Sequence, residues 1–342
     1  MNYLTEKASK LMPYVAGMQP QEQGWVKLNT NENPYPPSPK VLEAVQSADI
    51  EKLRLYPDTV SGGLRTAIAA KFGVEPENVF CGNGSDEVLA LAFQAFFTGR
   101  DNVLTPDISY GFYPVWGEMY DAGLKYMPLL DSFAIDAGDY KNGSGVVLAN
   151  PNAPTGIALP LPDIEKIIQS NANGVVVIDE AYADFADCGS AAGLACKYEN
   201  LLVVRTFSKS YSLAGLRVGY AIGSEKLVCG LDRVKNAFNS YPVNMLSQLC
   251  ATAAISDEEY FSNRCREIVE TRKWVENELG CAPTQANFVF WKTEDGKAMY
   301  DYLFENKILV RHWDKPRIGD HLRVTVGTRA EMEVFVQCAK KF

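Results

Sequence analysis

Apolar residues in this chain fall into two alternating textures. Short unbroken runs such as VVVI (175–178) and LLVV (201–204) have the continuity of strands covered on both faces. Longer stretches carry apolar positions at helical spacing, as in VLEAVQSADIEKL (41–53) and GGLRTAIAAKFG (62–73). The second closes on Gly73, the residue type a helix C-terminus favours. VFCGNGSDEVLALAFQAFF (79–97) reads as strand, Gly-containing turn and apolar helix in one piece. NVLTPDISYGFY, GVVLANPNAPTG, NGVVVIDEAYADF and LLVVRTFSKS repeat the theme, each opening on an apolar β-rich run and ending in polar residues. That succession predicts an α/β fold with a mostly parallel sheet covered by helices.

Past about residue 240 the texture changes. A long charged amphipathic helix, EEYFSNRCREIVETRKWVENELG (258–280), is followed by strand-like NFVFWK, KILVRHW and HLRVTVG. At the other end, KLNTNENPYPPSP (27–39) is polar and proline-broken, which suits an extended arm. The expected division is therefore an arm with part of a small domain over residues 1–45, a large domain over 46–240, and a smaller α+β domain over 241–342.

Composition narrows the function classes. With 342 residues, 47% hydrophobic and 22% charged, the chain has the make-up of an ordinary globular protein. A net charge of -9 with no concentration of Lys and Arg argues against nucleic acid or an anionic membrane as partner. No apolar run reaches the roughly 18 residues of a membrane helix. The opening MNYLTEKASK lacks a signal-peptide core, so a cytoplasmic location is expected. Eight cysteines form no CxxC pair and the two histidines come late, which predicts no metal site and reduced thiols packed as small hydrophobes.

Candidate chemistry lies where the apolar runs end, the edge of a parallel sheet at which ligands bind. In GNGSDE the amides of Gly84, Ser85 and Asp86 open a helix and suit a phosphate, although an ordinary capped turn gives the same string. Asp179 ends the run VVVID. A carboxylate there is costly unless something charged meets it; it either caps a helix or pairs with an arginine, or it meets a protonated ring nitrogen. Tyr182 lies three residues on. In TFSKSYSLAGLRVGY, Lys209 stands in apolar, Gly-rich surroundings with Arg217 eight residues later. It is either a surface lysine beside a loop or an amine made neutral by a low-dielectric pocket and able to attack a carbonyl. Taken together, these features call for a ligand with a phosphate, an aldehyde and a basic ring nitrogen, and pyridoxal phosphate has all three.

The strings MPY, LNTNENPYPPSP, RLYPD, GNGSDE, NPNAPTG, VVIDEAY, SKSYSLAGLRVG and LRVTVGTR together resemble the fold-type-I pyridoxal-phosphate aminotransferases, and within them the histidinol-phosphate aminotransferases. The resemblance covers almost the whole chain. It implies that Lys209 bonds to the cofactor aldehyde, that Asp179 pairs with the ring nitrogen, and that Tyr110 stacks on the ring. It implies that Tyr182 and Asn152 reach the phenolic oxygen, and that Gly84, Ser85, Asp86, Ser208 and Arg217 take the phosphate. Tyr56 is implied to reach the site of a neighbouring subunit, which makes a homodimer the expected assembly. Arg323 and Arg311 are implied to bind a substrate phosphate, with Tyr14 closing over it. One departure is plain: the family reads NPNNPTG, and this chain has Ala153 before PTG. The implied activity is transamination between glutamate with 2-oxoglutarate and histidinol phosphate, a phosphorylated amino alcohol, with imidazole acetol phosphate, in histidine biosynthesis. Aromatic aminotransferase, threonine-phosphate decarboxylase and an effector-binding regulator module stay as alternatives on the same fold, although the last wants a DNA-binding extension that does not fit before residue 30.

Overall fold

The computed structural model describes residues 3–342. Its centre is a seven-stranded sheet built from β1 (Val79–Gly82), β2 (Val103–Pro106), β3 (Leu124–Met127), β4 (Gly145–Ala149), β5 (Val175–Asp179), β6 (Leu201–Thr206) and β7 (Gly219–Gly223). The spatial order is β1-β7-β6-β5-β4-β2-β3. All pairs are parallel except those made by β7, which runs antiparallel to both β1 and β6. The expected α/β architecture is thus present. Alternate strand residues enter opposite cores: Val146, Leu148, Val176, Ile178, Leu201 and Val203 on one face, Val147, Val177, Leu202 and Val204 on the other. Burial on both faces is why these strands carry no polar alternation.

The sheet brings the polar ends of its strands to one edge. Gly82 and Thr206, at the ends of β1 and β6, both pair with Gly219 at the start of β7, and Asp179 pairs with Val204 of β6. A Cβ on Gly219 would lie 2.2 Å from the Ser85 amide nitrogen, so only glycine permits this approach.

The smaller unit is a three-stranded antiparallel sheet of β8 (Phe288–Lys292), β9 (Arg311–His312) and β10 (His321–Thr325), ordered β9-β10-β8. The helix Glu258–Leu279 packs on it, capped at its start by the Asp257 side chain and closed by Gly280 at φ +65°. The N-terminal arm joins this unit through Val26–Lys27, which pairs with Ile308–Leu309. The helix Met245–Ile255 departs from the expected division at residue 241. Its Cys250, Ala251, Ala254 and Ile255 lie in the core of the large sheet, so packing places the start of the smaller unit after it.

Candidate active site

A cavity of about 310 Å³ opens between the polar edge of the large sheet, the arm and the small sheet, within the size range of small-molecule sites. Its floor is the strand-to-helix turn after β1. Gly84 adopts φ +86° and a Cβ there would meet Arg217 Nη2 at 2.6 Å, so the turn again requires glycine. The Gly84 N–H already donates to the Gly82 carbonyl at 2.9 Å. Ser85 and Asp86 begin the helix Ser85–Ala92, and their N–H groups are left without an intrahelical acceptor. An anion fits there.

Arg217 enters from the loop before β7, donating from Nη2 to Asp86 Oδ2 at 3.2 Å and from Nη1 to Ser208 Oγ at 3.5 Å. The Asp86 carboxylate also accepts from the Tyr110 hydroxyl at 2.8 Å. Its side chain is therefore an orienting group for Arg217 and Tyr110, and only its amide is available to a phosphate. Burial and the Asp86 charge push the Tyr110 phenol well above its usual value.

Asp179 is 5% exposed at the end of β5. It accepts from Tyr113 Oη at 3.1 Å and from the Ala181 amide at 3.2 Å. Among the described residues no cation touches it, and burial raises its carboxyl from 3.8 to about 7. A buried carboxylate left unpaired by the protein matches a cationic ligand atom. Lys209 lines the same cavity and donates from Nζ to the Thr30 carbonyl at 3.3 Å. Burial, then the Arg323 charge, lower its amine to about 8, against the opposing pull of Asp86 and Glu32. Behind it, Asn33 Nδ2 donates to the Lys209 and Ser210 carbonyls, and Ser210 Oγ to Asp184 Oδ2.

The far wall is cationic. Arg311 and Arg323 are directly paired across β9 and β10 and both line the cavity. Arg323 donates to the Asn29 carbonyl at 2.9 Å, its Nε is buried without a partner, and Arg311 donates to the Val15 carbonyl at 3.1 Å. No carboxylate is paired with either guanidinium among the described residues. Tyr14 roofs this wall, its ring stacked on Phe112 at 4.4 Å.

Two sequence-derived residues stand apart from the cavity. The Asn152 amide donates to the Ile108 carbonyl and Thr155 Oγ1 and accepts from Ser109 Oγ, so its bonds are used within its own loop and on the loop after β2. It is Ala153 that lines the cavity. Tyr56 is 80% exposed and stacks on Tyr241. Conversely, Thr30, Asn31 and Glu32 of the LNTNEN string line the cavity without having been assigned a role from sequence.

The donor set suits pyridoxal phosphate: amides, hydroxyl and guanidinium for a phosphate, an amine of lowered basicity for an aldehyde, and a cation-seeking carboxylate for the ring nitrogen. Comparison with known proteins points the same way. A protein called histidinol-phosphate aminotransferase 1 from Hydrogenovibrio crunogenus is 50% identical over 338 residues, covering 96% of this chain and 94% of that one. A histidinol-phosphate aminotransferase of Clostridium botulinum (strain Kyoto / Type A2) is 46% identical over 347 residues, with coverage of 99% and 98%. Among solved structures, histidinol-phosphate aminotransferase from Sinorhizobium meliloti in complex with pyridoxal-5'-phosphate superposes with a TM-score of 0.89 at 23% identity, covering 100% of this chain and 98% of that one. The family model for aminotransferase class I and II matches residues 23–338, and the chain belongs to that family.

Proposed function

We propose that the chain is a pyridoxal-phosphate-dependent aminotransferase that moves an amino group between glutamate and the keto partner of histidinol phosphate. The observation that carries the substrate class is the Arg311–Arg323 pair, two adjacent guanidiniums with no protein carboxylate to neutralise them. Two planar forks suit a dianionic phosphate better than a single carboxylate. The names borne by relatives at 46% and 50% identity support the same substrate.

The bound cofactor supplies an aldehyde to receive the amine and a ring that draws electrons from the substrate carbon. The protein's residues do the rest. Arg217, Ser208 and the amides of Ser85 and Asp86 hold the cofactor phosphate, with Gly84 allowing the close approach. Asp179 holds the proton on the ring nitrogen. Tyr110 flanks the ring and Tyr182 addresses its phenolic oxygen. Lys209, whose amine is lowered to about 8, has a neutral fraction at physiological pH, so it would bond to the cofactor aldehyde and, once released, serve as the base for the proton on the substrate carbon. Arg311 and Arg323 fix the substrate phosphate, and Tyr14 excludes water above it. Tyr56 acts in the site of a second copy of the chain.

Titrating the loaded protein with histidinol phosphate, without keto acid, should bleach its visible cofactor absorbance one-for-one with sites, and 2-oxoglutarate should restore it. Bleaching at lower concentrations of phenylalanine or tyrosine would replace the substrate, as would carbon dioxide release from threonine phosphate. Absence of any visible band would remove the cofactor.

A further inference from the structure

Asn31 lies in the arm at φ +55° and is 1% exposed. Its backbone N–H donates to Thr325 Oγ1 at 2.9 Å and its carbonyl accepts from Asn287 Nδ2 at 3.0 Å. Having accepted that amide, the Thr325 hydroxyl sends its own proton to Asn31 Oδ1 at 3.0 Å. Thr325 thereby decides which end of the Asn31 side chain is oxygen. The NH2 end donates to the Tyr182 hydroxyl oxygen at 2.9 Å. A phenol that receives this bond keeps its own proton to give elsewhere. Among the described residues no protein acceptor takes that proton. Tyr182 lines the cavity, with Lys209 Nζ 5.9 Å from its ring centre.

The neighbouring loop makes this arrangement matter. Ala153 presents only a methyl to the cavity, and the Asn152 amide is spent on Ile108, Thr155 and Ser109. The 150s loop therefore offers no carboxamide to a ligand, and the phenol is the donor left on this wall. We infer that Asn31 is a positioning residue: through the relay Thr325–Asn31–Tyr182 it fixes the Tyr182 hydroxyl as a donor to the cofactor's phenolic oxygen, in place of the carboxamide that Ala153 lacks. The inference rests on the cofactor reading proposed above.

A donor held on that oxygen favours its anion and lowers the pH at which the visible absorbance of the loaded protein changes. Asn31→Asp keeps the side-chain size and tolerates positive φ, but turns the donor into an acceptor. It should raise that midpoint by about one pH unit. Adding Ala153→Asn should return at least half of the shift. On a Tyr182→Phe background Asn31→Asp should add little, which separates the relay from the bare effect of a new negative charge. If Asn31→Asp does not fold, as judged by melting of the unloaded protein, Thr325→Val keeps the Asn31 side chain but removes the hydroxyl that orients its amide and accepts its N–H, and should move the midpoint the same way. An unmoved midpoint in the folded variant, or a shift undiminished by Tyr182→Phe, overturns the inference. Wild-type protein with no cofactor absorbance would overturn the proposed function instead.

Discussion

Asp179 and Lys209 show how a few residues carry most of the chemistry, with burial as the largest cause in both. The Asp179 carboxyl rises from 3.8 to about 7 because it has lost water and gained only two neutral donors. Below about pH 4 it is protonated whether the chain is folded or not. Between 4 and 7 the folded chain retains a proton that the unfolded chain has released, so its contribution to stability is lost as pH rises through 7. Ligand-free Asp179→Asn should therefore gain on wild type in melting temperature between pH 5 and pH 8, by an amount on the order of a few kcal/mol in stability. Loading with cofactor should reverse the ranking at pH 8, because the ring nitrogen then supplies the missing cation. Parallel melting curves at all pH values would mean that the carboxylate titrates as if exposed. Charged residues set in apolar runs were legible from sequence for this reason: Asp179, Lys209 and Arg217 contradict their surroundings. Asn31 was not legible, since its value comes from Thr325, 294 residues away.

At the scale of elements, the anion site is a property of strand register. β9 and β10 pair Arg311 with Arg323 and His312 with Leu322. A slip of one residue would send one guanidinium to the opposite face. Arg311→Gln should raise the KM for histidinol phosphate by about 10- to 100-fold with little change in kcat. Histidinol without its phosphate should be nearly indifferent to the change. An equal penalty on both substrates would make Arg311 a support for the arm, which it also holds through the Val15 carbonyl. The buried parallel strands are readable because the short length and β-branched content of these apolar runs favour a strand covered on both faces over a buried helix. The antiparallel sense of β7 is not, since pattern encodes burial and not direction, and GYAIG follows directly on a motif that reads as loop. β3 is not legible for the opposite reason: Lys125 and Tyr126 are exposed on an edge strand that lacks the apolar signature. KILVRHW reads as one strand, yet Ile308–Leu309 pairs with the arm and Arg311–His312 with β10, so one run serves two sheets.

For the whole molecule, the apolar surface left outside every core argues for a second copy. Leu42, Ile50, Leu53 and Leu55 are each more than half exposed, and Tyr56 is 80% exposed within the same stretch. Apolar residues scattered singly over a surface are ordinary, but this grouping on the chain from 42 to 56 is the kind that a homodimer buries. The proposed role of Tyr56 gives a test that oligomeric mass alone does not. Consider a mixed dimer of one Lys209→Ala chain with one Tyr56→Ala chain. If Tyr56 serves the neighbouring site, the site containing the intact Lys209 receives an intact Tyr56 from the other chain, and the mixed dimer has one complete centre. It should then bind cofactor at that centre with wild-type affinity and show about half of wild-type activity, whereas the Lys209→Ala homodimer is inactive and the Tyr56→Ala homodimer releases cofactor readily. If Tyr56 instead serves its own chain, no centre in the mixed dimer is complete and mixing recovers nothing. Sedimentation at twice the chain mass in all three preparations is the control that ties the outcome to shared sites, because a monomeric protein would also recover nothing on mixing.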